Sequence, residues 1–174
     1  MNLFQRAKPA SLESAFDRYY PAVFRFFRFR GADADTANDL AASVFERALS
    51  HIDQFDPRKA QIQTWLFAIA RNISINHWKS EKGTLPLDDD LPQSDVPLEE
   101  LVIRAEEKER VLLALQTLDN RSREVIALKF SSELSNRAIA QLTGLSESNI
   151  GVVLYRSLMK LRRQLSQIEV NHDR

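Results

Sequence analysis

Between Ser135 and Arg163 the chain reads SNRAIAQLTGLSESNIGVVLYRSLMKLRR, and few folds accept that stretch. Ile139, Ala140 and Leu142 give a first short helix one apolar face. Thr143-Gly144-Leu145 makes the corner, where Gly144 can take a positive φ that a β-carbon would penalise. Ser146 can cap a second helix by accepting an orphan backbone N–H. In that helix Ile150, Leu154, Leu158, Leu161 and Leu165 recur at helical steps and predict an inward stripe. Asn149, Val152, Arg156, Lys160 and Arg163 fall on the opposite side. A small alanine, a turn glycine and apolar anchors on both sides are what a helix-turn-helix requires, because its two helices cross closely. A hairpin that merely packs has no use for the basic outer face.

Few glycines (4) and prolines (6) in 174 residues, with long 3.6-residue periodicities, predict an all-α chain. The absence of cysteine excludes disulfides, thiolate zinc sites and cysteine nucleophiles. His51, His77 and His172 are scattered, and no glycine-rich phosphate loop or regularly spaced carboxylate pair occurs. No metal, cofactor or catalytic role is therefore expected. No opening run resembles a signal peptide, and no apolar stretch approaches the roughly 18 residues of a membrane span, so a soluble cytoplasmic protein is expected. The net charge of zero conceals a partition. Residues 1–84 carry 12 Lys/Arg against 9 Asp/Glu, residues 85–107 carry 1 against 8, and residues 108–174 carry 11 against 7. Two basic modules flank an acidic segment, which suits nucleic-acid binding despite a neutral whole.

Taken in order, residues 1–10 read as a lead-in. An aromatic helix is expected from Ser11, with Leu12, Phe16, Tyr19, Tyr20, Val23, Phe26 and Phe27 on a broad face, Pro21 kinking or breaking it and Gly31 ending it. Asp33 or Asp35 can cap a second helix whose Leu40, Val44, Phe45 and Leu49 point inward, leaving Asp39, Ala42, Ser43, Glu46 and Arg47 outside. Phe55-Asp56-Pro57 forces a turn. A third helix follows, with Ile62, Leu66, Ile69 and Ile73 as its core stripe. Nine of the ten phenylalanines and both tryptophans precede residue 80. Most of these rings belong in a core; Trp78 is the ring best placed to stack on an unpaired base instead. GTLPLDDDLPQSDVP, residues 83–97, lacks helical period and reads as an extended acidic linker. About four helices complete the chain from Leu98, with Asp119-Asn120 as a corner. The expected fold class is all-α: two small helical domains joined by an acidic linker, with boundaries at 1–83, 84–97 and 98–174.

FDRYYPAVFRFFRFRGADADTANDLAASVFERAL, FDPRKAQIQTWLFAIARN, LDNRSREVIALKF and LSNRAIAQLTGLSESNIGVVLYRSLMKLRRQL resemble, in order and spacing, the successive blocks of an extracytoplasmic-function sigma factor of the sigma-70 family. The resemblance implies a non-enzymatic RNA polymerase subunit. Its first domain (family regions 2.1 to 2.4) would bind the clamp helices of the largest catalytic subunit and open the −10 element. Its second (regions 4.1 and 4.2) would read the −35 element and touch the polymerase flap. On this resemblance Asp39, Leu40, Glu46 and Arg47 match the polymerase-binding surface. Arg71, Asn72, Asn76, Trp78 and Lys79 match the segment facing the −10 strand, and Ser148, Asn149, Val152, Tyr155, Arg156 and Lys160 the −35 reader. Core RNA polymerase, promoter DNA and an anti-sigma factor would be the partners, and the free protein a monomer without membrane insertion.

Two departures stand out. Ala42-Ser43 replaces the family's usual Gln-Glu pair. Gly151-Val152-Val153 replaces a stretch that commonly begins with Lys or Arg, so direct reading at −35 is expected to be weak and to lean on phosphates and DNA shape. The rival reading is a helix-turn-helix regulator that binds duplex DNA without being a polymerase subunit. A second rival is a sigma-like protein that has lost promoter binding. A ligand-sensing regulator has no need of the TWLFAIARN block or the acidic segment.

Overall fold

A computed structural model describes the backbone of residues 8–80 and 98–172 and the side chains of 14–80 and 106–166. Among the described residues the chain is helical throughout: α1 (Lys8–Arg30), α2 (Ala34–Ser50), a 3-10 turn (Ile52–Gln54), α3 (Ile62–Ser80), α4 (Leu98–Gln116), α5 (Asn120–Ser132), α6 (Asn136–Thr143) and α7 (Glu147–His172). The expected acidic linker lies outside the described residues.

Helix α1 begins three residues before the expected Ser11 and runs unbroken through Pro21. Proline strips a hydrogen bond from the carbonyl four residues back; here that residue, Asp17, and Pro21 itself are both exposed, so water can serve the freed group. The helix ends as the sequence requires. Gly31 takes φ 109, its N–H bonds Arg28 O at 3.0 Å, and Ala32 N–H reaches back to Phe27 O at 3.1 Å. Asp33 then caps α2, accepting from Thr36 N at 2.7 Å and Thr36 Oγ1 at 3.0 Å.

The inward face of α2 is Ala37, Ala41, Val44, Phe45 and Ala48. Leu49, expected inside, is 63% exposed. Positions 37, 41, 44 and 48 already complete one helical stripe, and the next residue lies about 100° around the axis. In α3 the buried set is Leu66, Phe67, Ala70 and Ser74, while Ile62, Ile69 and Ile73 are only partly covered. Val23, Phe26 and Phe27 of α1 meet this set, with Phe26 edge-on to Phe67 at 5.8 Å between ring centres. Each such ring stabilises by roughly 1.5–3 kcal/mol on burial.

Helix α5 is apolar all round over Val125, Ile126, Ala127 and Leu128, every one of them buried. A helix of that kind must be covered on several sides. It is: α1 and α3 lie against it, and so do α6 and α7. One continuous cluster of buried side chains therefore runs from Val23 to Leu154, across both halves of the chain.

The helix-turn-helix forms as its corner chemistry demands. Ser135 caps α6 through Ala138 N at 3.2 Å. Gly144 takes φ 75 with its N–H on Ala140 O at 2.9 Å, and Ser146 Oγ accepts from Asn149 N at 3.2 Å. Ile150 and Leu154 are buried, but Leu158 is 45% exposed and Ser157 takes the inward position. The stripe follows 150, 154, 157 and 161, a rotation of one residue that the leucine spacing alone does not disclose.

Asp119 anchors α5, with Oδ1 accepting from Ser122 N at 2.9 Å and Oδ2 from Ser122 Oγ at 2.6 Å. The Ser122 hydroxyl, then its backbone N–H, holds the Asp119 carboxyl below its ordinary value. A depressed folded pKa contributes stability that is present above about pH 4 and is lost as pH falls through the lowered value. Asp119→Ala is expected to cost about 1 kcal/mol in urea unfolding at pH 7, with the gap to the parent narrowing as the pH is taken below 4.

Candidate nucleic-acid interface

The residues expected to face polymerase lie along α2. Asp39, Glu46 and Arg47 are exposed and Leu40 is half-buried. Leu40, Glu46 and Arg47 also line a groove of about 600 Å³ between α2 and α3, whose far wall includes Asn76 and His77. The structure thus brings one expected −10 residue to the same concavity as three expected polymerase contacts. Sequence reasoning had assigned these to separate surfaces.

Asn72, Asn76 and Lys79 are exposed on α3 at helical spacing and share a face, two amides and one cation aimed at solvent. Arg71 and Trp78 differ from them. Arg71 is largely covered, and its Nε sits 2.9 Å from Glu124 Oε1 of α5. The N–H is not aligned on that oxygen, so the contact is an ion pair rather than a hydrogen bond. Trp78 is half-buried against the core. The His77 ring meets it edge-on at 4.6 Å, and the Arg30 guanidinium lies 5.6 Å from its ring centre.

Arg30 is the residue that sequence reasoning missed. It is only 6% exposed. Its Nε donates to Ser74 Oγ at 3.2 Å and its Nη1 to Asn120 O at 2.8 Å. Burial pushes its pKa down, with the Glu124 carboxylate opposing. Arg123, on α5, likewise turns inward. It donates to Leu115 O at 3.1 Å, Gln116 O at 2.8 Å and Leu118 O at 2.9 Å, satisfying carbonyls at the end of α4. In the sequence Arg30 is one of three arginines in RFFRFR; it continues the Val23, Phe26 and Phe27 stripe at helical spacing, a signal that sets it apart from the exposed Arg25 and that its charge obscured.

On α7, Ser148, Asn149, Val152, Tyr155, Arg156 and Lys160 are all exposed. Tyr155 is 68% exposed and Val152 46%. Lys160 is already engaged, its Nζ donating to Thr117 O at the end of α4. Arg156 therefore carries the free cation of this set. A Cβ added at Gly151 meets nothing within 4 Å, so the bare first turn of this helix has room for a side chain. Among the described residues no group of His, Asp and Glu could hold a metal ion, and no helix is long and apolar enough to cross a membrane.

Known proteins resemble this chain over most of its length. The family model for Sigma-70 region 2 matches residues 15–84, and that for Sigma-70, region 4 matches residues 108–161. The chain is 28% identical over 172 residues to the ECF RNA polymerase sigma factor BldN of Streptomyces coelicolor, covering 95% of this chain and 65% of that one. It is 28% identical over 154 residues to the ECF RNA polymerase sigma factor SigM of Bacillus subtilis, covering 87% and 93%. Among solved structures, RpoE of Bartonella quintana in complex with the anti-sigma factor NepR has a similar fold, with a TM-score of 0.71 at 21% identity over 90% of this chain and 97% of that one. CnrH in complex with the cytosolic domain of CnrY gives 0.70 at 23% identity, covering 91% and 89%.

The open space at Gly151 yields a prediction. Gly151→Lys should leave the helix at least as stable, since lysine is the better helix former, and should steepen the salt dependence of duplex DNA binding by about 0.9 in log–log slope. Fluorescence anisotropy across a salt series measures it.

Proposed function

The chain belongs to the extracytoplasmic-function group of the sigma-70 family and is an RNA polymerase sigma factor, and we propose that it divides that work between its two halves as follows. Residues 1–83 engage core polymerase and the −10 strand, residues 98–174 the −35 duplex, and 84–97 join them. Asp39, Leu40, Glu46 and Arg47 of α2 dock on the clamp helices of the largest subunit. Asn72, Asn76 and Lys79 offer amides and a cation to an unpaired strand, with Arg71 as a phosphate contact and Trp78 packed behind them. The observation that carries this reading is the exposed polar face of α3 in the same chain as an exposed helix-turn-helix face on α7.

At −35 the reading helix is a positioning arm. Arg156 contacts phosphate, while Ser148, Asn149, Val152 and Tyr155 touch groove edges. With Gly151 bare and Lys160 tied to α4, few groups remain to distinguish bases, so DNA shape supplies much of the selectivity. A protein that acts on core polymerase functions in the cytoplasm, and that is the compartment proposed for it. Its contribution is binding and strand capture rather than catalysis, and an anti-sigma factor is its proposed inhibitor, as NepR is an anti-sigma factor in the Bartonella quintana complex above. The match of residues 15–84 to region 2 tells against the regulator reading, which requires no such domain.

Reconstitution tests the proposal. Added to sigma-free core polymerase, the protein should produce run-off transcripts from the promoter of its own operon; failure to bind core, with tight binding to a duplex palindrome, would refute it. Arg156→Ala should weaken −35 binding about uniformly across sequences and flatten the salt slope by about one unit. An unchanged slope in a salt titration removes Arg156 from the phosphate contacts.

A further inference from the structure

Helix α7 has a second stripe. Ile150, Leu154 and Ser157 are buried against the rest of the bundle. At about 100° per residue, the line directly opposite them holds Ser148, Val152, Tyr155 and Met159, all exposed. Val152 and Met159 leave 46% and 48% of their surface in water. Apolar side chains scattered singly on a surface need no explanation, but here Val152, Tyr155 and Met159 share one line and form a ridge. Cations flank it. Arg156 and Arg163 on one side and Arg162 on the other are exposed, roughly 50–70° round the axis from the ridge.

That order of groups matches a major groove. The walls of a groove are phosphates, which suit guanidinium groups. Its floor offers one apolar group, the C5-methyl of thymine. Valine has no donor or acceptor and methionine only a weak one, so the ridge cannot read bases by hydrogen bonds. A cation on each flank favours a polyanion over an apolar protein surface. Val152 lies in the second turn of α7, early enough to reach bases when a helix enters the groove by its N-terminal end. From Val152 to Met159 the ridge runs about 10.5 Å, or about three base-pair steps.

Gly151 supplies the remaining requirement. Glycine weakens a helix relative to alanine, yet Gly151 does not take a positive φ, and a Cβ there would meet nothing within 4 Å. The protein's own packing does not call for it. Valine is short, and it reaches a base edge only if the helix sits deep in the groove. A bare residue beside it lets the backbone approach that closely.

We propose that α7 reads the −35 duplex by apolar contact, with Val152 and Tyr155 seated on thymine C5-methyl groups in the major groove and Met159 extending the ridge toward the rim. This rests on the assignment of α7 to the −35 element. It gives a base preference to a helix that is short of hydrogen-bonding groups, and it makes Gly151 part of the reader.

The probe is the duplex that the full-length protein with core polymerase recovers from a pool randomised over −35, resynthesised with deoxyuridine in place of each thymine in turn. Deoxyuridine removes the methyl and keeps every donor and acceptor of the base. Each replacement under the ridge should weaken holoenzyme binding about four-fold, the effect of one methyl group left in water. Val152→Ala should bring the thymine and deoxyuridine probes to equal affinity at one position, and Tyr155→Ala at another. Alanine is the better helix former at both exposed sites, so the variants should melt no lower than the parent. A recovered element of G·C pairs alone, or a deoxyuridine penalty that persists unchanged in both variants as a shape effect, overturns the contact. Equal binding of both probes by the parent, with the salt slope still flattened by Arg156→Ala, overturns methyl reading and leaves α7 on the −35 duplex. No response of duplex binding to Arg156→Ala, Val152→Ala or deoxyuridine overturns both readings. Weaker capture of core polymerase by Val152→Ala, with both DNA probes bound as by the parent, makes the ridge a protein-docking surface and also overturns the contact.

Discussion

Everything else in the molecule is arranged around the need to cover α5. Four consecutive buried residues, Val125 to Leu128, leave that helix no solvent side over a full turn. The helix-turn-helix covers one flank and α1 and α3 the other. Burying apolar area on all sides is worth far more than any single polar contact to it, since each methylene removed from water contributes about 0.8 kcal/mol. The two halves consequently share one core.

The price of that arrangement falls on charged groups. Arg30 and Arg123 enter low-dielectric surroundings, and both have their pKa pushed down by burial. What makes the positions tolerable is the set of partners their guanidinium groups find: carbonyls from α4 and α5, the Ser74 hydroxyl and the face of Trp78. These arginines fix the angle at which α1 meets the start of α5. Arg30 also joins α3 to the remote half of the chain, because it touches Ser74 and Trp78 on one side and Asn120 on the other.

Much of the local structure was legible. The caps at Asp33 and Ser146 and the corners at Gly31, Asp119-Asn120 and Gly144 follow from short-range chemistry, and all of them form, whereas the Ser135 cap of α6 is disclosed by the structure. Helical stripes were legible only to within one residue. Leu49 and Leu158 turned outward because a stripe of alanines in α2, and Ser157 in α7, already filled the inward positions with small groups. Hydrophobicity ranks leucine above alanine and serine, but a close helix crossing selects for size. Pro21 was read as a kink or break; an exposed helix face let α1 continue past it.

By itself the sequence determined that the described residues are helical, where most of the caps and corners fall, that the chain carries a helix-turn-helix, and to which family its blocks belong. These properties depend on residues within one or two helical turns of each other, or on the order of blocks along the chain. Tertiary structure alone decided which arginines are buried, that Arg71 faces Glu124, and that Lys160 is spent on α4. The physical reason is sequence distance. Arg30 finds its acceptors 44 and 90 residues away, and a cation can be buried only where such remote partners converge. No local pattern records that convergence.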